Sequence, residues 1–346
     1  MGGLMLHDLI NKDMKFHMEF EYYCFKNCYL QILDYYGVFN AKYFLDCTTD
    51  WTYRKGKNKD FSFDTGNPYS SFLSPFDHKV KKVVLMEKTK EEIWNENIEA
   101  IQNGIPVVVA ADVFYLSYTP YYQKKHSYHS LILAGYDKPK NEFFVIDWYP
   151  PWYFKGRMSR DELDASRGSL NEGDGILSGK PINYLYTEVE RDGFRESTKS
   201  LIQAQIQKNL DQYYCGVTSN DLMKGYKAIN TMICNVEESF FYTKEEQKLF
   251  FEELYGQLFF TPTRKRLFRW YLENALFYCK SFGFVAPIQA LDESIIGWKG
   301  LLSLLIKCSM NHSEANLELL VKQFNEILQK EKQFYYMLYE LNRSLT

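Results

Sequence analysis

Hydrophobic residues recur at helical spacing in two segments of the N-terminal half of the chain. The first segment covers residues 22–36 and is followed by Gly37, a residue type that commonly ends helices. The second segment begins at residues 89–92, where Thr-Lys-Glu-Glu forms a capping-box pattern, and it ends near Gly104. The pattern therefore predicts two amphipathic helices.

Three further segments of the same half predict strands. Residues 105–111 are continuously apolar, as expected of a strand that is buried on both faces. Residues 130–136 and 142–148 flank a turn-rich sequence and predict an antiparallel hairpin. Ser159 offers an N-cap for a short helix, and the glycine-rich residues 165–182 indicate a linker or a long surface loop.

Beyond Tyr184 the pattern is helical almost throughout, without a strong strand signal. Residues 243–246 form another capping box. Segments with helical periodicity lie near residues 191–213, 219–235, 244–259, 263–282, 287–308 and 314–343. We therefore predict an α+β protein with a helix-plus-sheet domain over residues 1–185 and an all-α helical domain over residues 186–346.

The composition is that of a folded chain without an excess of either charge. Of the 346 residues, 25% are charged and 46% are hydrophobic, and the formal net charge is −3. This balance argues against nucleic-acid binding by bulk charge and against a polybasic membrane surface. The apolar runs are far shorter than the roughly 20 residues that cross a bilayer, and the N-terminus has no signal-peptide pattern. We expect a cytoplasmic protein with no nucleic-acid and no membrane partner.

The cysteines and histidines do not indicate a metal. Seven cysteines form an odd set without a repeated Cys-x-x-Cys spacing, so neither a disulfide framework nor a structural zinc site is indicated. His126 and His129 are an odd number of positions apart, which places them on opposite faces of a strand. We expect a reducing compartment, no metal and no cofactor.

Three residues of the first domain are candidates for nucleophilic catalysis. Cys24 opens the first helix, His129 opens a hairpin strand, and Asp147 ends the next strand. A helix N-terminus and a neighbouring imidazolium both stabilise a thiolate, and a carboxylate can orient the imidazole. Each residue alone also has a structural interpretation, as a buried core cysteine, a hydrogen-bonded histidine or a strand-end carboxylate. We interpret Cys28, one turn after Cys24, as a core residue.

The motifs around these residues resemble those of known thiol enzymes. Residues 23–37 look like the nucleophile helix of papain-like enzymes of the double-glycine peptidase type. Residues 129–137 and 145–147 resemble the His and Asp motifs of the same enzymes.

A closer resemblance is to the butirosin biosynthesis protein H family. It rests on Gly-Ile-Pro-Val-Val at residues 104–108, on Asp-x-x-x-Leu-x-Tyr at residues 112–118, and on the histidine pair that follows. Residues 266–275, together with Trp298, look like the helical domain that accompanies the N-terminal domain in that family.

The resemblance implies a papain-like fold and an acyltransferase of antibiotic biosynthesis. Such an enzyme takes an acyl group from the phosphopantetheine thioester of an acyl carrier protein and delivers it to an amine acceptor, an aminoglycoside or another natural-product intermediate. Two alternatives stay open: a cysteine peptidase or amidase on the same scaffold, and a non-catalytic interaction module. A homodimer is left open as well. The glutamine that papain-like enzymes commonly place before the nucleophile is absent, so His17 or backbone N–H groups would form the oxyanion hole.

Candidate substrate-binding residues surround the predicted triad. They are Asp112, Tyr115, Tyr118, His126, Trp148 and His17. For Asp112, Tyr115 and Tyr118 the alternative is a packed and capped strand exit.

Aromatic and basic residues complete the prediction. The chain contains 28 Tyr, 26 Phe and 6 Trp, and those that flank His129 and Asp147 predict an aromatic-walled cleft. They are Tyr115, Tyr118, Tyr121, Tyr122, Tyr128, Trp148, Tyr149, Trp152 and Tyr153. In the helical domain Arg264, Lys265 and Arg266 offer a docking site for an acidic carrier protein, or else a solvated helix face.

Overall fold

The chain divides into two compact units, each assembled from two separate segments. A computed structural model describes residues 14, 23–56, 61–64, 72–73, 76–84, 88–150, 152–173, 178–219, 221–311 and 313–345. The first unit comprises Met1–Leu45 and Tyr69–Arg195, and the second comprises Asp46–Pro68 and Glu196–Thr346. The segment Asp46–Pro68 thus joins the helical unit, whereas the sequence analysis assigned it to the first domain. The domain boundary after residue 185 stays a prediction.

The first unit is built on a six-stranded antiparallel sheet in the order β3-β8-β4-β5-β6-β7. Its strands are β3 (Val80–Val83), β4 (Val107–Asp112), β5 (Tyr128–Asp137), β6 (Glu142–Asp147), β7 (Phe154–Ser159) and β8 (Tyr186–Val189). The predicted hairpin is confirmed as β5 and β6, which pair in antiparallel register around the turn-rich residues.

Among the described residues of the first unit, three α-helices accompany this sheet. They are α1 (Cys24–Tyr35), α2 (Lys90–Gln102) and α3 (Arg160–Arg167). The capping box before α2 is confirmed, since the Thr89 hydroxyl accepts from the Glu92 amide and the Glu92 carboxylate accepts from the Thr89 amide. At the end of α1, Gly37 adopts a φ of 80°, which a residue without a Cβ atom reaches at little cost.

The core of the first unit lies between α2 and one face of the sheet. Ile93 and Trp94 of α2 are fully buried against alternate residues of β4, such as Val107 and Val109. These strand positions share a face because side chains alternate along a strand. The guanidinium of Arg167 on α3 stacks on the Trp94 ring, 4.3 Å from its centroid, and extends this packing.

The second unit combines a small sheet with a helical array. Its four-stranded antiparallel sheet has the order β2-β1-β10-β9, from β1 (Thr52–Lys55), β2 (Phe61–Asp64), β9 (Val217–Ser219) and β10 (Leu222–Lys224). Its helices are α4 (Thr198–Tyr214), α5 (Tyr226–Glu238), α6 (Lys244–Leu258), α7 (Thr261–Cys279), α8 (Val285–Met310) and α9 (Glu314–Leu345). Strands β8, β9 and β10 follow residue 184, where the sequence gives no strong strand signal.

Two of the three basic residues proposed as a docking surface are buried in the second unit. Arg264 is 9% exposed and Lys265 is 1% exposed, so neither a docking surface nor a solvated face describes them. The Lys265 ammonium lies 2.8 Å from the carboxylate of Glu331, which is itself fully buried. Glu331 also accepts hydrogen bonds from Ser294 and from the Trp298 indole. Lys265 of α7 therefore forms an ion pair with Glu331 in the core.

The overall class predicted from the sequence is confirmed as mixed α and β, with antiparallel sheets and a helical C-terminal region. Within the predicted linker or loop, Ser166 and Arg167 still belong to α3 and Asn171 is buried. Within the described residues no helix combines the length and the apolar character that crossing a membrane requires.

Candidate active site

Cys24 is the first residue of α1 and is partly exposed. The Tyr23 side chain at the N-cap makes no capping hydrogen bond, and the Asn27 amide donates to the Tyr23 carbonyl at 3.1 Å. The N–H groups of the first helical turn therefore have no intrahelical acceptors and point out of the helix end, where they favour negative charge. The thiol stands at the electropositive end of a twelve-residue helix.

Cys28, one turn further along α1, has a different environment. Its side chain is 4% exposed, and its thiol contacts the Ser130 carbonyl at 3.7 Å. Burial, followed by the nearby charges of Cys24 and Asp147, raises the pKa of the Cys28 thiol well above its usual range. A buried and protonated thiol is unreactive, which agrees with its interpretation as a core residue.

His129 and Asp147 form a buried hydrogen-bonded pair on neighbouring strands. His129 pairs with Ala111 in the register of β4 and β5, and Asp147 is the last residue of β6. The His129 Nε2 atom lies 2.8 Å from Asp147 Oδ2, and both side chains are nearly inaccessible to solvent. The antiparallel hairpin thus brings together two residues that are separated by 18 positions in the chain.

The Cys24 thiol lies close enough to His129 to influence the pKa of the imidazole. Burial opposes protonation of His129, but the carboxylate of Asp147 and the thiol of Cys24 outweigh it and raise the pKa of His129 to about 10. The imidazole is thus held in its charged form at neutral pH. His129 and Asp147 are joined by a hydrogen bond, and Cys24 influences the pKa of His129, but the triad of all three residues stays a prediction.

Asp147 has more partners than a simple triad requires. Its Oδ2 atom accepts from the Tyr118 hydroxyl at 2.7 Å and from the Trp152 indole nitrogen at 2.8 Å, in addition to His129. An ionised carboxylate only accepts hydrogen bonds, so the proton of the His129 contact lies on Nε2. Nδ1 is the ring nitrogen that does not contact Asp147.

Aromatic side chains stand beside His129 on two sides. The rings of Tyr149 and Trp152 meet the imidazole edge to face, with centroids at 5.1 and 5.3 Å. Tyr121, 42% exposed, meets Trp152 at 5.8 Å and continues this group toward solvent. These contacts belong to the segments for which the sequence predicts an aromatic-walled cleft, and the cleft itself stays a prediction.

Asp112 and His126 form a second acid–imidazole pair on the strand exit of β4. The His126 Nδ1 atom lies 2.6 Å from Asp112 Oδ2, which also accepts from Ser169 at 2.5 Å. The other carboxylate oxygen accepts from the amides of Phe114 and Ser127. Because Asp112 is fully buried and its oxygens have four donors within the protein, its contacts fit the capped strand exit better than a substrate pocket.

The remaining candidate residues are placed as follows. Tyr115 is half-buried and meets the His126 ring at 6.2 Å, and the Trp148 ring lies under the Lys155 ammonium at 5.6 Å. His17 lies outside the described residues. Sequence reasoning missed Ser166 and Ser169, which hold the backbone and the carboxylate of Asp112. No local pattern marks two serines that act on a residue more than fifty positions away.

The described residues contain no group of three or more histidine, cysteine or acidic side chains placed to bind a metal ion.

The comparisons with known proteins agree with one part of the sequence interpretation. Residues 61–148 match the family model described as butirosin biosynthesis protein H, N-terminal. The match covers about a quarter of the chain and includes His129 and Asp147, whereas Cys24 precedes it. The predicted resemblance is confirmed over this stretch, and the helical region follows it in the chain. No curated protein matches the chain.

Proposed function

We propose that the protein is a biosynthetic acyltransferase with a papain-like fold that uses Cys24 as a nucleophile, His129 as its acid and base, and Asp147 to orient His129. The observation that carries the proposal is the buried hydrogen bond between His129 and Asp147, with the Cys24 thiol at a helix start and close enough to influence the pKa of His129. The match of residues 61–148 to the butirosin biosynthesis protein H model supports a biosynthetic role.

In the first half-reaction the Cys24 thiolate attacks the carbonyl carbon of a thioester on an acyl carrier protein. A carbon–sulfur bond forms, and backbone N–H groups at the start of α1 stabilise the oxyanion. The intermediate then expels the phosphopantetheine sulfur, which takes the proton of the His129 imidazolium. Acyl-Cys24 and a neutral His129 remain.

In the second half-reaction an amine attacks the acyl-Cys24 carbonyl. Neutral His129 removes a proton from the amine as the new carbon–nitrogen bond forms, and the Cys24 thiolate leaves. Imidazolium and thiolate are thereby regenerated. Because the product is an amide, transfer requires that water be kept from acyl-Cys24, and the aromatic rings beside His129 suit that requirement.

The test is intact-mass analysis of the protein after incubation with acyl-loaded carrier proteins. We expect a mass increase equal to one acyl group, located on Cys24 by peptide mapping and absent from Cys24→Ala. Cys234→Ser, which removes an exposed thiol elsewhere, is the matched control and should form the adduct normally. Cleavage of peptides without adduct formation from any loaded carrier would favour the peptidase alternative. An adduct that persists in Cys24→Ala would refute the nucleophile assignment.

A further inference from the structure

We infer that Tyr118 and Trp152 are positioning residues that fix the Asp147 carboxylate through the same oxygen that contacts His129. The inference rests on the proposed function, because it concerns the same thiol and imidazole. Its basis is that three donors from three separate segments converge on the single oxygen Oδ2 of Asp147.

The donors arrive at nearly equal distances. The Tyr118 hydroxyl lies at 2.7 Å, and the indole of Trp152 and Nε2 of His129 both lie at 2.8 Å. Hydrogen bonds to a charged acceptor are shorter and stronger than neutral ones. A carboxylate with one oxygen held in this way cannot rotate to offer that oxygen elsewhere, so His129 keeps one orientation and one tautomer.

Each positioning residue is itself held in place. The Tyr118 ring stacks on Phe154 with centroids 4.0 Å apart and planes 7° apart, and Phe154 pairs with Asp147 across β6 and β7. Burial, reinforced by the charge of Asp147, raises the pKa of the Tyr118 phenol well above its usual range, so the phenol keeps the proton that it donates.

Trp152 is placed by the tight turn that follows β6. Its amide donates to the Tyr149 carbonyl at 3.0 Å, and the next residue, Tyr153, adopts a φ of 38°. A positive φ at a tyrosine is a costly backbone conformation that persists only where the surroundings require it. In this turn the Trp152 indole nitrogen donates to Asp147. The Trp152 ring also meets the His129 ring edge to face.

This arrangement changes the interpretation of Tyr118. The sequence suggests Tyr118 as a contact to the acceptor amine, but its hydroxyl already donates to Asp147. We therefore assign Tyr118 to the positioning of Asp147 and not to substrate binding. Its loss should weaken the reactivity of Cys24 through Asp147 and His129, independently of which acceptor is used.

The test measures alkylation of Cys24 by iodoacetamide, which needs neither a carrier protein nor an acceptor. Tyr118→Phe keeps the ring that stacks on Phe154 and removes only the hydroxyl. We expect the second-order rate constant near neutral pH to fall about three- to tenfold, the size of one typical hydrogen bond, because the lost bond acts on Cys24 only through Asp147 and His129. The pH midpoint of alkylation should move upward, because a less restrained carboxylate stabilises the imidazolium less well.

Two further variants separate positioning from a general structural effect. Tyr136→Phe is the matched control, because it removes a phenol hydroxyl that donates to Asn141 at the turn of the same hairpin. Its rate and midpoint should equal those of the unmodified protein. Trp152→Phe removes the indole donor and keeps an aromatic ring, and it should lower the rate as Tyr118→Phe does.

A double-mutant cycle gives the decisive comparison. In an Asp147→Ala background no carboxylate remains to be positioned, so adding Tyr118→Phe should change the rate by less than about twofold. An equal loss in both backgrounds, or a Tyr118→Phe profile identical to that of Tyr136→Phe, would overturn the positioning role. His129→Ala tests the proposed function separately, because unchanged alkylation of Cys24 in that variant would refute the thiol–imidazole pair itself.

Discussion

Replacing Lys265 by methionine distinguishes a core role from a docking role for the basic segment of α7. The Lys265 ammonium lies 2.8 Å from Glu331, with side-chain exposures of 1% and 0%. Burial lowers the pKa of Lys265, and the charge of Glu331 opposes that effect. The ammonium also lies 5.3 Å from the centroid of the Trp51 ring. Methionine fills a similar volume but leaves Glu331 as a buried charge with only neutral donors.

The expected cost follows from this burial. Breaking a fully buried ion pair by removing one partner costs about 3 to 5 kcal/mol, because the remaining charge is uncompensated. For a unit of this size, each kcal/mol shifts the melting temperature by about 2 to 4 °C, so the Tm should fall by about 6 to 20 °C. The double variant Lys265→Met with Glu331→Gln removes both charges and should recover about half of the loss or more.

Differential scanning calorimetry on the full chain measures the Tm of Lys265→Met and the Tm of the double variant. Lys299→Met is the matched control, because Lys299 is exposed on α8, and its Tm should lie within about 2 °C of the unmodified protein. A Lys265→Met protein that melts like the Lys299→Met control would refute the reasoning. If that protein also lost only carrier-dependent acyl transfer, the docking interpretation would be restored.

Three other outcomes follow from the structure. His129 has a pKa raised from 6.5 to about 10, so its stabilising contribution is fully present below the unfolded value and is lost as the pH rises through about 10. The loss in unfolding free energy caused by His129→Gln should accordingly be larger at about pH 6 than at about pH 10, and a pH-independent loss would contradict the pair with Asp147. Thr243→Ala removes the capping box of α6 and should cost about 1 kcal/mol in urea denaturation, whereas no change would mean that the cap contributes nothing. Gly225 has a φ of 62° and its missing Cβ would collide with the Tyr213 carbonyl, so Gly225→Ala should destabilise the protein by more than about 1 kcal/mol, and an unchanged Tm would contradict the geometry.

The features predicted correctly from the sequence are those with local causes. The capping boxes at Thr89 and Thr243 depend on side chains three residues apart, and both form. The β5–β6 hairpin depends on two apolar runs around a short turn. Because the hairpin fixes the spacing of His129 and Asp147, the acid–imidazole contact was predictable once the turn was recognised.

The features that escaped prediction depend on partners distant in the chain. Strand β8 is only four residues long and is stable as a strand because it pairs with β3 and β4. Segment Asp46–Pro68 contributes β1 and β2 to a sheet that β9 and β10 complete from more than 150 residues away. Charge pattern alone cannot reveal that Lys265 is buried, because its partner Glu331 is 66 residues away on another helix.

Tyr118 shows the same limit within the candidate site. Its position between a buried strand and the histidine suggests that Tyr118 lies near the predicted triad. A residue in that position can either contact the substrate or hold Asp147 in place. Only the hydrogen bond to Asp147 and the stacking on Phe154 decide between them.

The most direct test of the central claim is the fate of an isolated acyl-Cys24 protein. The protein is acylated with a loaded carrier, separated from the carrier, and mixed with a panel of amines or with buffer alone, and the protein and product masses are followed over time. We predict that a suitable amine discharges the acyl group as an amide much faster than water does, and that His129→Ala forms little adduct with the loaded carrier in the first place. Discharge at the same rate with and without every amine, yielding only the free acid, would contradict acyl transfer.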